Sequence, residues 1–147
     1  YYMEYVSREA DEKLKEMTGN SLGLETDQNG LFIIRDYKNG GATRPASTLS
    51  GGETFMASLA LALALSSQIQ MKGAAPMELF FLDEGFGTLD ENYLEIVMEA
   101  LEKIRDRKRS VGVISHVEEI KVRIPVRLIV EPSKAGEGGS KIHIERE

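Results

Sequence analysis

The chain has 147 residues, 41% of them hydrophobic and 29% charged, with a formal net charge of −6. That size and apolar content suffice for one folded unit with a core and a tail, and the acidic balance excludes a surface that binds nucleic acid all over, leaving room only for a local basic patch. The absence of cysteine excludes disulfide and thiolate–metal frameworks and fits a reducing, cytoplasmic compartment.

No signal-peptide pattern is present. The longest apolar run, Phe55 to Leu65, is interrupted by Ser58 and is too short to cross a bilayer, so no membrane is expected as a partner. The chain opens on Tyr1-Tyr2 without an initiator methionine, as expected of a stretch from the middle of a longer polypeptide.

Met3, Val6, Ala10, Leu14 and Met17 share one face of a helix that stops before Gly19-Asn20, and their spacing is nearly heptad. Two repeats fit a plain amphipathic helix as well as a coiled coil. The next stretch predicts two strands joined around Asn29-Gly30, a pair that tolerates the positive φ angles of a tight hairpin. A Gly/Ala/Thr/Pro loop over Asn39 to Ser47 then leads to Leu49-Ser50-Gly51-Gly52-Glu53. From Glu53 to about Met71, Ala and Leu on all sides predict a buried helix.

A strand over Leu79 to Leu82 ends in Asp83-Glu84, and an amphipathic helix follows with Leu94, Val97, Met98, Leu101 and Ile104 on its inner face. A second short strand, Val111 to Ile114, ends in Ser115-His116. Neither strand alternates, as expected of parallel strands covered on both faces. A terminal hairpin, with Ile142 and Ile144 facing inward and His143 solvated, completes the order α, ββ, α, β, α, β, ββ, which predicts an α/β fold: a mostly parallel sheet flanked by helices, with added antiparallel strands.

Two adjacent glycines at a helix start cost roughly 0.5–1 kcal/mol each relative to alanine inside a helix, so bare backbone must be needed there. An anion at the helix N-terminus is one reason, and an ordinary loop with Ser50 as N-cap is the other. Asp83, Glu84 and His116 fall at the carboxyl ends of strands, where open α/β sheets bind ligands, and with the helix start they suit a Mg²⁺-nucleotide. Taken singly, Asp83 and Glu84 read first as solvated acids and His116 as a packed or hydrogen-bonded core histidine; it is their joint occurrence that points to chemistry. Thr88 to Glu91 matches a capping box that starts the next helix, whatever else Thr88 and Asp90 do.

Together, "TLSGGE", a buried Ala/Leu helix, "LDE", "GFGTLD" and "SH" resemble the C-terminal lobe of an ABC-type (P-loop) ATPase head. More narrowly, "LSGGETFMASLALALALS" with "LDEGFGTLD" resembles the SbcC family of DNA double-strand-break repair ATPases, relatives of the SMC proteins. The resemblance runs from Met17 to the end. SMC proteins usually carry a different loop after the acid pair. Transporters usually have Gln where Glu53 stands and Pro after the acids.

The resemblance implies a division into residues 1–18, the end of a long antiparallel coiled coil, and residues 19–147, the lobe itself. It implies that Leu49, Ser50, Gly51, Gly52 and Glu53 form the signature loop, touching the γ-phosphate of ATP held by a second head of a homodimer. Asp83 would organise the Mg²⁺ shell, Glu84 would polarise the attacking water, Gly87 to Asp90 would sense the partner head, and His116 would contact the γ-phosphate. An SbcD-type nuclease and DNA would be the partners.

No G-x-x-x-x-G-K-[ST] motif occurs, and "GEGGSK" near the end has the wrong spacing and joins strands. The chain alone is therefore expected to be inactive, working with a phosphate-loop lobe of the same protein. Rival readings are a head fragment of another SMC-like or RecN-type DNA ATPase, a transporter subunit, or a non-enzymatic dimerisation module. The basic stretch Glu102 to Ser110, with Arg105, Arg107 and Lys108, reads first as cations favoured by a helix C-terminus and second as a DNA contact.

Overall fold

A computed structural model describes residues 2–73, 79–106, 110–136 and 138–147, the side chains of Phe80 and Asp106 excepted. The chain forms two compact units, Tyr1–Ile114 and Ser115–Glu147.

In the first unit, α1 (Tyr2–Thr18) ends where Gly19 and Asn20 both turn left-handed, with φ of 60° and 62°. The Asn20 N–H closes that end by donating to the Lys15 carbonyl at 2.8 Å, a helix stop of the kind the sequence predicts. The inner face buries Val6, Ala10, Leu14 and Met17, while Met3 is exposed. Asp11 ties α1 to β1 (Leu22–Thr26), its Oδ1 accepting the Leu24 N–H at 2.8 Å while its Oδ2 accepts from Lys15.

β1 pairs antiparallel with β2 (Phe32–Asp36), but the connection is not a two-residue turn. The Asp27 carboxylate accepts the N–H groups of Asn29 and Leu31, each at 2.8 Å, and stabilises a five-residue loop in which Gly30 alone has positive φ. The segment expected to be a plain loop also holds a third strand, β3 (Ala42–Pro45), antiparallel to β2, flanked by short 3-10 turns at Tyr37–Asn39 and Ala46–Thr48. Pro45 is compatible with β3 because it closes an edge strand.

α2 (Gly51–Met71) takes in the two glycines as its first turn and packs against α1. At 21 residues it is the one helix, among the described residues, long and apolar enough to cross a bilayer by length and composition. The expectation that length rules this out is thereby corrected. Burial of Met56, Leu59, Ala60, Leu63 and Ala64 identifies it as a core helix. It is not buried on all sides, however: Leu65, Ile69 and Met71 are exposed.

β4 (Leu79–Asp83), a 3-10 turn (Phe86–Thr88), α3 (Glu91–Asp106) and β5 (Ser110–Ile114) form a β-α-β unit with β4 and β5 parallel. The α3 inner face is buried at Leu94, Val97, Met98, Leu101 and Ile104, as its spacing predicts. The two strands are not covered on both faces. Leu79, Phe81 and Ile114 are 58%, 59% and 46% exposed on one side of the pair.

The second unit contains α4 (Glu118–Arg123), a short helix without a strong sequence period, and the predicted hairpin of β6 (Val126–Glu131) and β7 (Lys141–Arg146). Ile142 and Ile144 are not inward-facing: they are 63% and 60% exposed and pair with the exposed Val130 and Leu128. The fold class is α/β, with a single parallel pair and the remaining strand pairs antiparallel among the described residues.

Leu14 is fully buried and Leu65 is exposed. Leu14→Ala is expected to destabilise the chain by about 2–5 kcal/mol in urea unfolding and Leu65→Ala by less than about 1 kcal/mol. Equal effects would contradict this placement of the core.

Candidate functional site

Ser50 is the N-cap of α2. Its Oγ accepts the Glu53 N–H at 3.2 Å, while Glu53 Oε1 accepts the Ser50 N–H at 3.0 Å, a complete capping box. The ordinary capping role therefore holds. Ser50 remains exposed, and Gly51 and Gly52 form the first turn, where backbone donors are left over by the helix pattern.

Glu53 is held from its other oxygen by Arg44, whose Nη2 lies 3.1 Å from Oε2. The same guanidinium donates to the Thr48 carbonyl at 3.1 Å and forms an ion pair with Asp36 at 3.6 Å. The side-chain amide of Asn39, the Lys38 N–H and the Arg44 charge hold the Asp36 carboxyl below its ordinary range, against the opposing effect of burial. Arg44 thus joins the three-stranded sheet to the start of α2. Sequence reasoning missed it because it lies on β3, in the stretch read as loop.

The glycine pair has an intramolecular reason to be bare. A Cβ at Gly51 would lie 3.0 Å from the Cβ of Thr88, and one at Gly52 would lie 3.2 Å from the Tyr93 ring and 3.4 Å from the Thr88 carbonyl. The first turn of α2 is therefore packed directly on the segment that follows the acid pair. Burial raises the pKa of Tyr93, reinforced by the nearby charges of Glu53 and Asp90.

That segment begins at the end of β4, where Asp83 pairs with Ile114 and the Glu84 N–H donates to the Ile114 carbonyl at 2.9 Å. Asp83 and Glu84 are both exposed. Glu84 has φ of 58°, a left-handed conformation uncommon for a residue with a side chain, and Gly85 follows at 97°. Such strain clusters at functional positions. Asp90, not Thr88, starts α3: its Oδ1 accepts the Tyr93 N–H at 2.9 Å. The Thr88 hydroxyl instead donates to the Gly85 carbonyl at 2.9 Å, so the Thr88–Glu91 box does not form.

The structure thus brings Ser50 to Glu53 and Asp83 to Asp90 into one neighbourhood of the first unit. His116 belongs to the second unit and is exposed, in a bend where the Ser115 hydroxyl accepts the Val117 N–H at 3.0 Å. Arg105 lies in the last turn of α3, as the dipole favours, while Arg107 and Lys108 fall outside the described residues. No cluster of three or more His, Asp or Glu poised to hold a metal occurs among the described residues. One exposed carboxylate, Asp83, suits Mg²⁺ only as a partial ligand, since this ion is usually held by one or two carboxylates together with phosphates and water.

Residues 28–103, just over half of the chain, match the family model described as SbcC/RAD50-like, Walker B motif. The SbcC component of the nuclease SbcCD from Clostridium acetobutylicum is 68% identical over 97% of this chain and 12% of its own length. Its counterpart from Bacillus subtilis is 50% identical over 97% of this chain and 13% of its own length. The chain therefore spans about an eighth of these relatives.

Among solved structures, one from work on ATP-driven dimerization and DNA-stimulated activation of SMC ATPases superposes with TM-score 0.72 at 18% identity, covering 97% of this chain and 84% of that one. The SMC head domain from Thermotoga maritima superposes with TM-score 0.63 at 22% identity, covering 98% and 48%. At these identities the likeness is one of fold, that of an SMC head.

Alanine for glycine in a helix ordinarily gains up to about 1 kcal/mol. At Gly51 the clash with Thr88 is expected to reverse the sign, so that Gly51→Ala destabilises by about 1–3 kcal/mol in urea unfolding. Gly87→Ala, whose Cβ would enter open space, is expected to stay within about 0.5 kcal/mol of the parent. A gain in stability for Gly51→Ala would contradict the close packing.

Proposed function

This chain belongs to the SbcC/RAD50-like family, and on that premise we propose that it is the C-terminal lobe of an ATPase head (residues 19–147) borne on the end of a coiled-coil helix (residues 1–18). It binds and hydrolyses ATP at a composite dimer interface and drives head engagement in DNA double-strand-break repair. The relatives are named as components of the nuclease SbcCD, and from those names we take an SbcD-type nuclease and DNA as partners; the cytoplasmic location is carried by the cysteine-free composition.

The observation that carries the proposal is the seating of the capped, glycine-bearing start of α2 on the loop from Asp83 to Asp90. In this reading Leu49 to Glu53 present Ser50 and main-chain amides to the γ-phosphate of ATP on the opposite head of a homodimer. Glu84, at the end of β4, polarises the water that attacks the nucleotide of its own head, and His116 contacts its γ-phosphate. Asp90 senses the opposite head while capping α3. Asp83 would hold Mg²⁺, which when bound neutralises charge on the phosphate oxygens.

The grip on the β- and γ-phosphates comes from a phosphate-loop lobe of the same protein, and the uncovered face bearing Leu79, Phe81 and Ile114 is available for that lobe to pack on. By itself the chain is inactive. Moving a dimer from 1:99 to 99:1 takes about 5.5 kcal/mol, so two sandwiched nucleotides need each supply about half, of which a helix start covered by the opposite head contributes up to about 2 kcal/mol.

In the complete protein, Glu84→Gln should preserve ATP-driven head association and lower turnover by at least about a hundredfold; a normal rate would remove Glu84 from the chemistry. Ser50→Arg should abolish nucleotide-driven association, read by sedimentation, while leaving ATP affinity within about threefold. Association that survives this change would place Ser50 away from the dimer interface.

A further inference from the structure

We infer that Phe55 is a positioning residue for Glu84, linking the Ser50–Gly52 turn to the catalytic carboxylate of the same head. This rests on the ATPase reading above and adds to it a residue beyond Leu49 to Glu53 and Asp83 to Asp90, to which that reading gives roles.

Phe55 lies one helical turn beyond Gly51 in α2, and its ring meets Phe86 with centroids 5.1 Å apart and planes inclined by 52°. Phe86 is 1% exposed, so it is a fixed floor for that ring. The edge of the Phe55 ring lies over Gly85, where a Cβ would come within 2.5 Å of both Cδ2 and Cε2. Phe55 therefore presses on the residue immediately after Glu84.

The position is one that needs holding. Glu84 and Gly85 are consecutive left-handed residues, at φ of 58° and 97°, and Glu84 is not a glycine. A conformation of that kind persists only where its surroundings over-determine it. One constraint is the hydrogen bond from the Glu84 N–H to the Ile114 carbonyl, and the Phe55 ring supplies a second from the opposite element.

Ser50, Glu53 and Phe55 also move together. The capping box locks Ser50 to Glu53, and α-helical geometry carries Phe55 rigidly with them, at a rise of about 1.5 Å per residue. A phosphate that draws the start of α2 toward an opposing head must shift the ring on Gly85, and with it the backbone that sets Glu84. Clasping a nucleotide in trans would thus be felt at hydrolysis in cis.

The test uses the complete protein with ATP for turnover and a non-hydrolysable ATP analogue for head association. Phe55→Leu keeps apolar volume but loses the flat ring. It should leave the ATP KM and analogue-driven association within about twofold and lower kcat by roughly tenfold or more, as misplacement of a reacting group does. Phe55→Tyr, which keeps the ring, should recover kcat to within about twofold of the parent. A parental kcat in Phe55→Leu, or a fall in association in step with kcat, would overturn the inference, the second outcome marking Phe55 as core packing alone. Glu84→Gln assayed in parallel separates the two levels. If it stops turnover and Phe55→Leu does not, only the coupling fails. If Glu84→Gln itself turns over normally, the site assignment fails and the coupling with it.

Discussion

The first turn of α2 and the loop after β4 fit together through reciprocal use of glycine. On the helix, Gly51 and Gly52 admit Thr88 and Tyr93; on the loop, Gly85 admits the ring of Phe55. Each segment contributes bare backbone where the other contributes a side chain, and interiors packed this closely transmit displacement because they have little room to absorb it. The capping box and the Arg44 bridge fix the helix start from its other side, to Asp36 on β2 and to the Thr48 carbonyl. What would otherwise be two separate motifs is one body.

For an ATPase head this arrangement has a mechanical meaning. The proposed roles divide the residues between two nucleotides, with Ser50 and its glycines serving the opposite head and Glu84 serving its own. The contact between the two groups therefore joins, within one head, the residues that serve the two nucleotides. The left-handed backbone at Glu84 is the kind of strained conformation that persists only where its surroundings hold it, so the contacts around it set where its side chain sits.

Much of the fold was legible from periodicity and punctuation. The inner faces of α1 from Val6 to Met17 and of α3 follow from spacing, because burial against a single partner face imposes its period on the sequence, while the stop at Gly19-Asn20 follows from punctuation and the two parallel strands from short apolar runs without a period. The misses have local causes. The Asp27 side chain captures two backbone donors and lengthens the first hairpin; β3 is short and ends in proline; and Asp90 competes successfully with Thr88 for the start of α3. Exposed Ile142 and Ile144 show the limit of alternation as a guide, since a pattern of apolar residues marks a face but not whether anything in this chain covers it. At the site, the motifs named the residues, whereas the contacts of Arg44 with Glu53, Phe55 with Gly85 and Tyr93 with Gly52 could be found only once the chain was folded, because each joins separate elements.

The claim on which the functional reading turns is that Ser50 and Glu84 act on different nucleotides. Co-expressing two full-length versions of the protein, one with Ser50→Arg and the other with Glu84→Gln, and purifying the mixed dimer through separate tags tests it in one assay of ATP turnover. If Ser50 works in trans, both defects fall in the same composite site and the other site is intact, so the mixed dimer should recover about half of the parental rate although each parent variant is inactive. A mixed dimer as inactive as either variant would contradict that division and return both residues to a single site.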